Sequence, residues 1–448
     1  MHRRRFMLAA ASAMAVPLSG IPGCGGGSSN DTPQPVPESD VVLRLPKDMY
    51  QHVGAPTEWW WHIGTLKAGS RTFGFEINAA SFAKDGFAFS QIMLTDVEKQ
   101  KHYYRTTPFV PPLMFDPATW AEADVSKNWY AKLGDADNYF SGIAVVTPGS
   151  GYTSDPIVAI LGGGGIGAIA IPVRDAAGGI ASIVVLSPGI GYTSVPTVAI
   201  VGGGGSGATA KAFHTYIAMN SPASDPTKNM TVKALLLDTT TATQVKFDLQ
   251  FSQQGRPFFV WGTGVNPDGG GGTLQSSNYY FSLTRMQASG SIEIDGEKHA
   301  VSGVTWMDHE YGAFGSAANP VKWFLQDMQL DNGVCISNYA TIDQGLPELN
   351  KTSASHATVQ DGSGATWFVE STVTPIGRTW KSPETGITYF MQFRIDIPSF
   401  NTSLLVNTLV DSQEFLVGTG GVYEGVAAAT GSFQYRPVTG TAWNEQAL

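Results

Sequence analysis

The stretch VKFDLQF, Val245 to Phe251, sets apolar residues at every second position with Lys246, Asp248 and Gln250 between them. Successive side chains of a strand point to opposite faces, so this period of two gives one apolar and one polar face, the pattern of a half-buried antiparallel strand. TFGFEI (Thr72 to Ile77), SIEI (Ser291 to Ile294) and FRIDI (Phe393 to Ile397) repeat it. Between such runs, Asp295-Gly296, Asp331-Asn332-Gly333 and Asp361-Gly362 supply residues that tolerate the positive φ of tight hairpins. No long segment has helical periodicity. Many short strands with turn signals predict an all-β chain of barrels or sandwiches. At 448 residues, 42% of them hydrophobic and 14% charged, the chain is long enough for two such units in tandem.

One section has a different rhythm. VVTPGSGYTSDPIVAILGGGGIGA (Val145 to Ala168) returns as VVLSPGIGYTSVPTVAIVGGGGSGA (Val184 to Ala208), with Gly151 matching Gly191 and the four-glycine run at 162–165 matching 202–205. An internal repeat of this kind marks a supersecondary unit used twice. Each copy reads as strand, Pro-Gly turn, GYTS, strand, Gly-rich turn, strand. The glycine runs lack the GK[ST] ending and the following helix of a phosphate loop, so tight β-turns are the better account. Residues 141–213 therefore read as a small two-repeat β module inserted in a surface loop, where added length costs little stability. Its only charges between the repeats and their flanks are Asp155, Arg174, Asp175 and Lys211, which offers no catalytic constellation and leaves its partner unnamed.

The first 23 residues run from a basic cluster through a short apolar stretch to small residues, the layout of an export signal. Arg3, Arg4 and Phe6 fit a twin-arginine pattern. Ile21-Pro22-Gly23-Cys24 resembles a lipobox, which makes Cys24 a lipidation site and predicts a membrane anchor in the periplasm or outer membrane. Residues 24–40 then form a flexible tether. With Cys24 acylated, only Cys335 remains, so no internal disulfide is expected, and its apolar surroundings place it in a buried strand. Loss of Arg3, Arg4 and Arg5 takes the 27 basic residues to 24 against 37 acidic, a net of about −13, which disfavours nucleic acid or anionic lipid as a partner.

The densest chemistry is GVTWMDHEYG, Gly303 to Gly312. On a strand Trp306, Asp308 and Glu310 share one face, with Met307, His309 and Tyr311 on the other. In TEWWWHIGTL (Thr57 to Leu66), Glu58, Trp60 and His62 share a face, opposite Trp59, Trp61 and Ile63. Three adjacent ionisable residues on one strand cannot all bind one metal, and neither a His pair on one helix face nor paired cysteines occur, so no metal or other cofactor is predicted. A carboxyl group walled by aromatics loses hydration and stays protonated near neutral pH, which suits a proton donor. The competing reading is scaffold: Asp308 or Glu310 accepting buried hydrogen bonds, or paired with Arg285, Lys322 or Arg378. No G-x-S-x-G elbow supports a serine hydrolase.

TEWWWHIGTL, SSNYYFSLTRMQASGSIEI, VSGVTWMDHEYG, WFLQDMQLDNG, WKSPETGITY and GVYEGVAAATG together resemble, in type and order, the lipocalin-like family of bacterial carotenoid 1,2-hydratases and AttH-type proteins. The resemblance covers about 41–140 and 214–448. It implies two tandem lipocalin-like antiparallel barrels, the first from 41–140 and 214–300, the second from 301–448, with the boundary close to Val301. It also implies water addition across a terminal carbon–carbon double bond without metal or organic cofactor, with Asp308 as proton donor and Glu310 or His309 positioning the water. Trp306, Tyr311, Tyr280, Trp60, His62 and Trp323 are the candidate residues around an apolar isoprenoid or lipid. Three functions are compatible with these residues: a hydratase, a periplasmic carrier of apolar ligands without chemistry, or a surface adhesin whose barrels are a stalk.

Overall fold

A computed structural model describes residues 33–448 apart from 223, 270, 315–321, 343–346 and 418–419. Cys24 and the expected export signal lie outside the described residues. Apart from four 3-10 turns, the described secondary structure is entirely β. The alternation of VKFDLQF is realised in the strand Thr243–Gln253, where Val245, Phe247, Leu249 and Phe251 are buried and Lys246, Asp248 and Gln250 exposed. Each such apolar side chain contributes about 1.5–3 kcal/mol on leaving water, so the inward row holds this strand in register. Asp295 (φ 49°) and Gly296 (φ 88°) both take the left-handed conformation and turn Asn278–Ile294 into Glu297–Gly312, the geometry a two-residue hairpin needs.

Eleven strands form the first sheet. Its order runs Lys101–Phe109, Phe87–Asp96, Arg71–Phe82, Thr57–Ala68, Glu297–Gly312, Asn278–Ile294, Thr243–Gln253, Asn229–Asp238, Tyr216–Asn220 and Tyr130–Leu133, with Phe258–Phe259 beside Asn278–Ile294. It curls until its first strand faces Asn229–Asp238, and there the gap is bridged by a side chain: Arg105 Nε donates to the Leu237 carbonyl (3.0 Å). The second sheet runs from Trp323 to Ala447, and eight of its strands close into a barrel because Thr402–Thr408 pairs with both Thr388–Ile397 and Gly420–Phe433. The chain is thus all-β, with two tandem barrels, as expected.

The boundary differs from the expected one at Val301. Glu297–Gly312 is the central strand of the first sheet, laddered to Thr57–Ala68 and Asn278–Ile294, and the second sheet starts only at Trp323. A hairpin partner fixes the strand after it, so the Asp295-Gly296 turn commits residues 297–312 to the first barrel.

TFGFEI (Thr72 to Ile77) was expected to be half-buried, yet the strand Arg71–Phe82 that contains it is buried on both faces from Phe73 onward. The reason is the second barrel, which packs against the outer face of the first. Trp59, Trp61, Phe82 and Trp306 meet Trp323, Val426 and Trp443 in a shared apolar cluster, the seam. At Gly74 a Cβ would come within 2.5 Å of Val426 Cβ, so only glycine allows this approach. Cys335, a free buried strand residue, lies in the same seam.

The tether expected over 24–40 is docked from Pro33 onward. Trp367 Nε1 donates to the Pro33 carbonyl (3.0 Å), and Val36 N donates to the Thr366 carbonyl (2.7 Å). These bonds hold the segment on the second barrel, while Val42 N reaches the Thr263 carbonyl (2.9 Å) on the first-sheet side.

Residues 142–213 form three nested antiparallel pairs: Gly142–Ser150 with Ser206–Phe213, Ile157–Leu161 with Thr197–Val201, and Ile166–Arg174 with Ile180–Ile190. The module has its own apolar core and leaves from a hairpin of the first sheet, since Leu133 pairs with Ile217. The expected Pro-Gly turn at Pro148-Gly149 is instead part of a strand. Gly149 (φ 61°) stays within the ladder, between Pro148 opposite Ala208 and Ser150 opposite Ser206, and the register shift further along, at Thr209 and Ala210 opposite Val145 to Thr147, is a bulge that bends the strand without ending it.

Candidate active site

Three motifs that are distant in sequence become neighbours through the ladder of Glu297–Gly312. Asp308 stands opposite Trp61 on one side and Ser282 on the other, and Glu310 stands between Trp59 and Tyr280. Residues paired across a sheet point to the same face. The outward face of this strand therefore carries Trp306, Asp308 and Glu310 into the seam, and Tyr280 and Trp323 join them there.

Asp308 is fully buried. Ser282 Oγ (2.5 Å) and Trp306 Nε1 (2.7 Å) both donate to its Oδ1, and Oδ2 makes no well-formed hydrogen bond. Burial pushes its carboxyl up to about 7, against the pull of donors Ser282, Trp306 and Tyr280. Burial likewise raises Glu310 well above the ordinary range, and the neighbouring Asp308 adds to the rise although Asn278 donates to Glu310 Oε1. The expected alternative of ion pairing is not realised by the described arginines. Arg285 donates to the carbonyls of Gly333 and Asp361, and Arg378 pairs with Asp411.

The seam holds four further buried carboxyls. Glu76 comes from the first barrel, and Asp327, Glu424 and Glu445 come from the second. Trp323 Nε1 donates to Glu445 (2.9 Å) and Trp443 Nε1 to Glu424 (2.7 Å). Burial raises all four, Glu445 to about 8, and Asp308 adds to the rise at Glu445 and Asp327. Among the described residues no Lys or Arg forms an ion pair with any of the six. Alternation alone gave no sign of these acids, because a polar residue on the outer face of a strand ordinarily faces water. The signal available was spacing: Trp306 and Asp308, like Trp443 and Glu445, are two apart, which places an indole and a carboxyl on one face.

A cleft of about 50 Å³ opens beside Glu310, lined also by Tyr280, Trp261, Trp323, Tyr339 and His356. Asp308 lies behind it, next to Tyr280. The other expected site residues are elsewhere. Trp60, His62, His309 and Tyr311 project to the opposite face, inside the first barrel, because Trp60 pairs with His309 and shares its side of the sheet. They cannot surround a ligand at Asp308. His309 lies flat on Trp60 (4.5 Å between ring centres) and donates from Nδ1 to the Trp59 carbonyl (2.9 Å). Burial lowers it to about 3. His62 is buried against Phe251, and neither ring nitrogen has a partner.

Sequence reading passed over one grouping on this inner face. Glu58 accepts from the His52 backbone N–H (2.9 Å), and the same carboxylate oxygen lies 2.9 Å from His52 Nδ1 and 3.6 Å from His309 Nε2. His52 is raised to about 8, its contacts with Asp48 and Glu58 outweighing burial, whereas burial raises Glu58. His52 and His309 are so far apart in sequence that no spacing rule connects them.

The AttH protein of Nitrosomonas europaea shares 18% identity over 92% of this chain and 99% of its own, with a TM-score of 0.57. Kievitone hydratase from Nectria haematococca shares 15% identity over 93% of this chain and 96% of its own, with a TM-score of 0.55. No curated protein sequence matches. At these identities the likeness establishes the two-barrel fold alone. The AttH-like family model matches residues 193–446, and on that match across more than half its length the chain belongs to the AttH-like family.

Proposed function

We propose that the chain is a hydratase that adds water across a carbon–carbon double bond of an apolar isoprenoid or lipid, using no metal or organic cofactor for that step. The observation that carries this reading is Asp308, a buried carboxyl held near pKa 7 directly behind an aromatic-lined cleft. An alkene is a very weak base, so its protonation needs an undissociated acid in a dry setting. Asp308 passes its proton through the Tyr280 hydroxyl, which lines the cleft, to one alkene carbon. The cation left on the other carbon faces Trp261 and Trp323, whose π-faces stabilise positive charge. Water held by Glu310 adds to that carbon and loses a proton, which returns to Asp308. The net change is addition of one water. Kievitone hydratase is a hydratase by name, and its shared fold supports the same class of reaction here.

Incubation with terminal isoprenoid alkenes of the lycopene type in ¹⁸O-labelled water tests this. The expected product carries one labelled oxygen, and Asp308→Asn and Tyr280→Phe each abolish it. Absence of labelled product from the wild-type protein overturns the reading.

A carrier without chemistry is the second reading, favoured by the apolar lining that Val260, Phe314, Leu325 and Phe368 give the same cleft. Retention of an apolar ligand by Asp308→Asn, with no product from either protein, would establish it. In both readings we propose export and lipid anchoring through Cys24, checked by mass spectrometry of the processed N-terminus.

A further inference from the structure

We infer that His52, Glu58 and His309 form a binding site for a divalent first-row transition cation, on the opposite face of the sheet from the carboxyl seam. The three donor atoms come from the loop before the first strand, from that strand and from Glu297–Gly312, and all lie within 4.8 Å of one another. A tetrahedral ion with bonds of roughly 2.0–2.1 Å sets its ligands about 3.3 Å apart. The observed separations from Glu58 Oε1, 2.9 Å to His52 Nδ1 and 3.6 Å to His309 Nε2, bracket that figure.

The hydrogen bonds around the two rings favour metal binding over a simple ion pair. A carbonyl oxygen can only accept, so the contact of His309 Nδ1 with the Trp59 carbonyl fixes the proton on Nδ1 and leaves the lone pair on Nε2. That Nε2 is buried, has no hydrogen-bond partner and faces Glu58. At His52, Nε2 lies at an ion-pair distance of 3.6 Å from Asp48 Oδ1, and a proton held on that nitrogen frees Nδ1 to bind an ion. A histidine whose second nitrogen donates to a carbonyl or a carboxylate is the usual metal-ligand pattern.

Ring stacking fixes the directions of these donors. Trp60 lies at 8° to the His309 ring, and Tyr311 lies at 9° to the His52 ring, 3.5 Å between centres. The His52 backbone N–H donates to both Glu58 oxygens (2.9 and 3.1 Å), which orients the carboxylate. His52 and Glu58 also line a cavity of about 200 Å³ together with Gln51, Ser81, Asp116 and Trp120. That cavity leaves the fourth coordination position to water or a small anion. The site is independent of the hydration reading, which uses the other face.

Calorimetric titration of the tag-free, chelator-treated full chain with Zn²⁺ tests the site, with Co²⁺ as a spectroscopic probe of geometry. The expected result is one equivalent bound, with the visible bands of four-coordinate Co²⁺ and a raised Tm. Asp48→Asn weakens binding about 10–100-fold, the usual effect of removing a histidine's second partner. His52→Gln and Glu58→Gln each remove it. Glu58 is fully buried, so if its variant fails to fold, the partly exposed His52 carries the test. Failure of the wild-type chain to bind Zn²⁺, or binding unchanged in His52→Gln, overturns the assignment and leaves an ion pair.

Discussion

Two donors on one oxygen of Asp308 and no well-formed bond on the other make its protonation state adjustable by single substitutions. The bonds from Ser282 and Trp306 stabilise the carboxylate and hold its pKa below what burial alone would give. A hydrogen bond to a charged group contributes about 1.5–3 kcal/mol, and about 1.4 kcal/mol is one pKa unit. Ser282→Ala therefore moves the alkaline limb of the hydration rate upward by about one unit from its starting point near 7. A pH–rate profile of the two proteins checks this, and an unmoved limb would show that Asp308 is not the titrating acid. The split of Asp308 and Glu310 from His309 was legible in the sequence, since it follows from the two-residue period. The aromatic wall that dries Asp308 was legible too, but not the second barrel that completes it, because alternation cannot reveal a packing partner.

Strands and turns were legible wherever local chemistry dictated them. VKFDLQF and the Asp295-Gly296 hairpin follow from side-chain period and positive φ. The nested pairing of the repeat module did not, because it arises between the two copies. Tyr152 of the first copy lies over Gly203 and Gly205 of the second, and Tyr192 of the second lies over Gly163 and Gly165 of the first, so that a Cβ at Gly165 would come within 2.3 Å of the Tyr192 ring. The glycine runs are thus seats for tyrosines, and neither copy is complete alone. The module leaves and returns at the paired strands Tyr130–Leu133 and Tyr216–Asn220. Removing 141–213 and closing the gap accordingly keeps both barrels folded. The expected cost is about 1 kcal/mol for the lost contact of Phe213 with Arg105, 4.9 Å apart. Circular dichroism melting checks this, and loss of the cooperative transition would count against an inserted unit.

At the scale of the whole molecule the seam joins two barrels through six buried acids. Asp308 and Glu445 rise from ordinary values of 3.8 and 4.5 to about 7 and about 8. Each binds its proton more tightly in the folded chain than in the unfolded one. The stability this gives is fully present below the ordinary values and is lost as pH climbs to about 7 and about 8, where the folded chain still holds protons that the unfolded chain has released, so stability falls with rising pH. Scanning calorimetry is expected to show a Tm roughly 5 °C lower at pH 9 than at pH 6, with the difference reduced in Glu445→Gln. Equal Tm values at the two pH values would mean the seam is wetter than its burial implies. The sequence suggested two barrels but placed their junction too early, because the Asp308 motif looks like the start of a unit when it is the wall of one.

The gap in the first barrel bears on self-association. An open sheet has an edge of unpaired backbone groups that can template pairing with another copy. Here Lys101–Phe109 carries a charged residue at its start, Arg105 turned onto the Leu237 carbonyl across the gap, and Pro108, which has no amide hydrogen to offer. Gln100 adds a bond from its side chain to the Leu409 carbonyl of the second barrel (3.1 Å). The chain thus guards its open edge against polymerisation with side chains, where a fully closed barrel would need no guard.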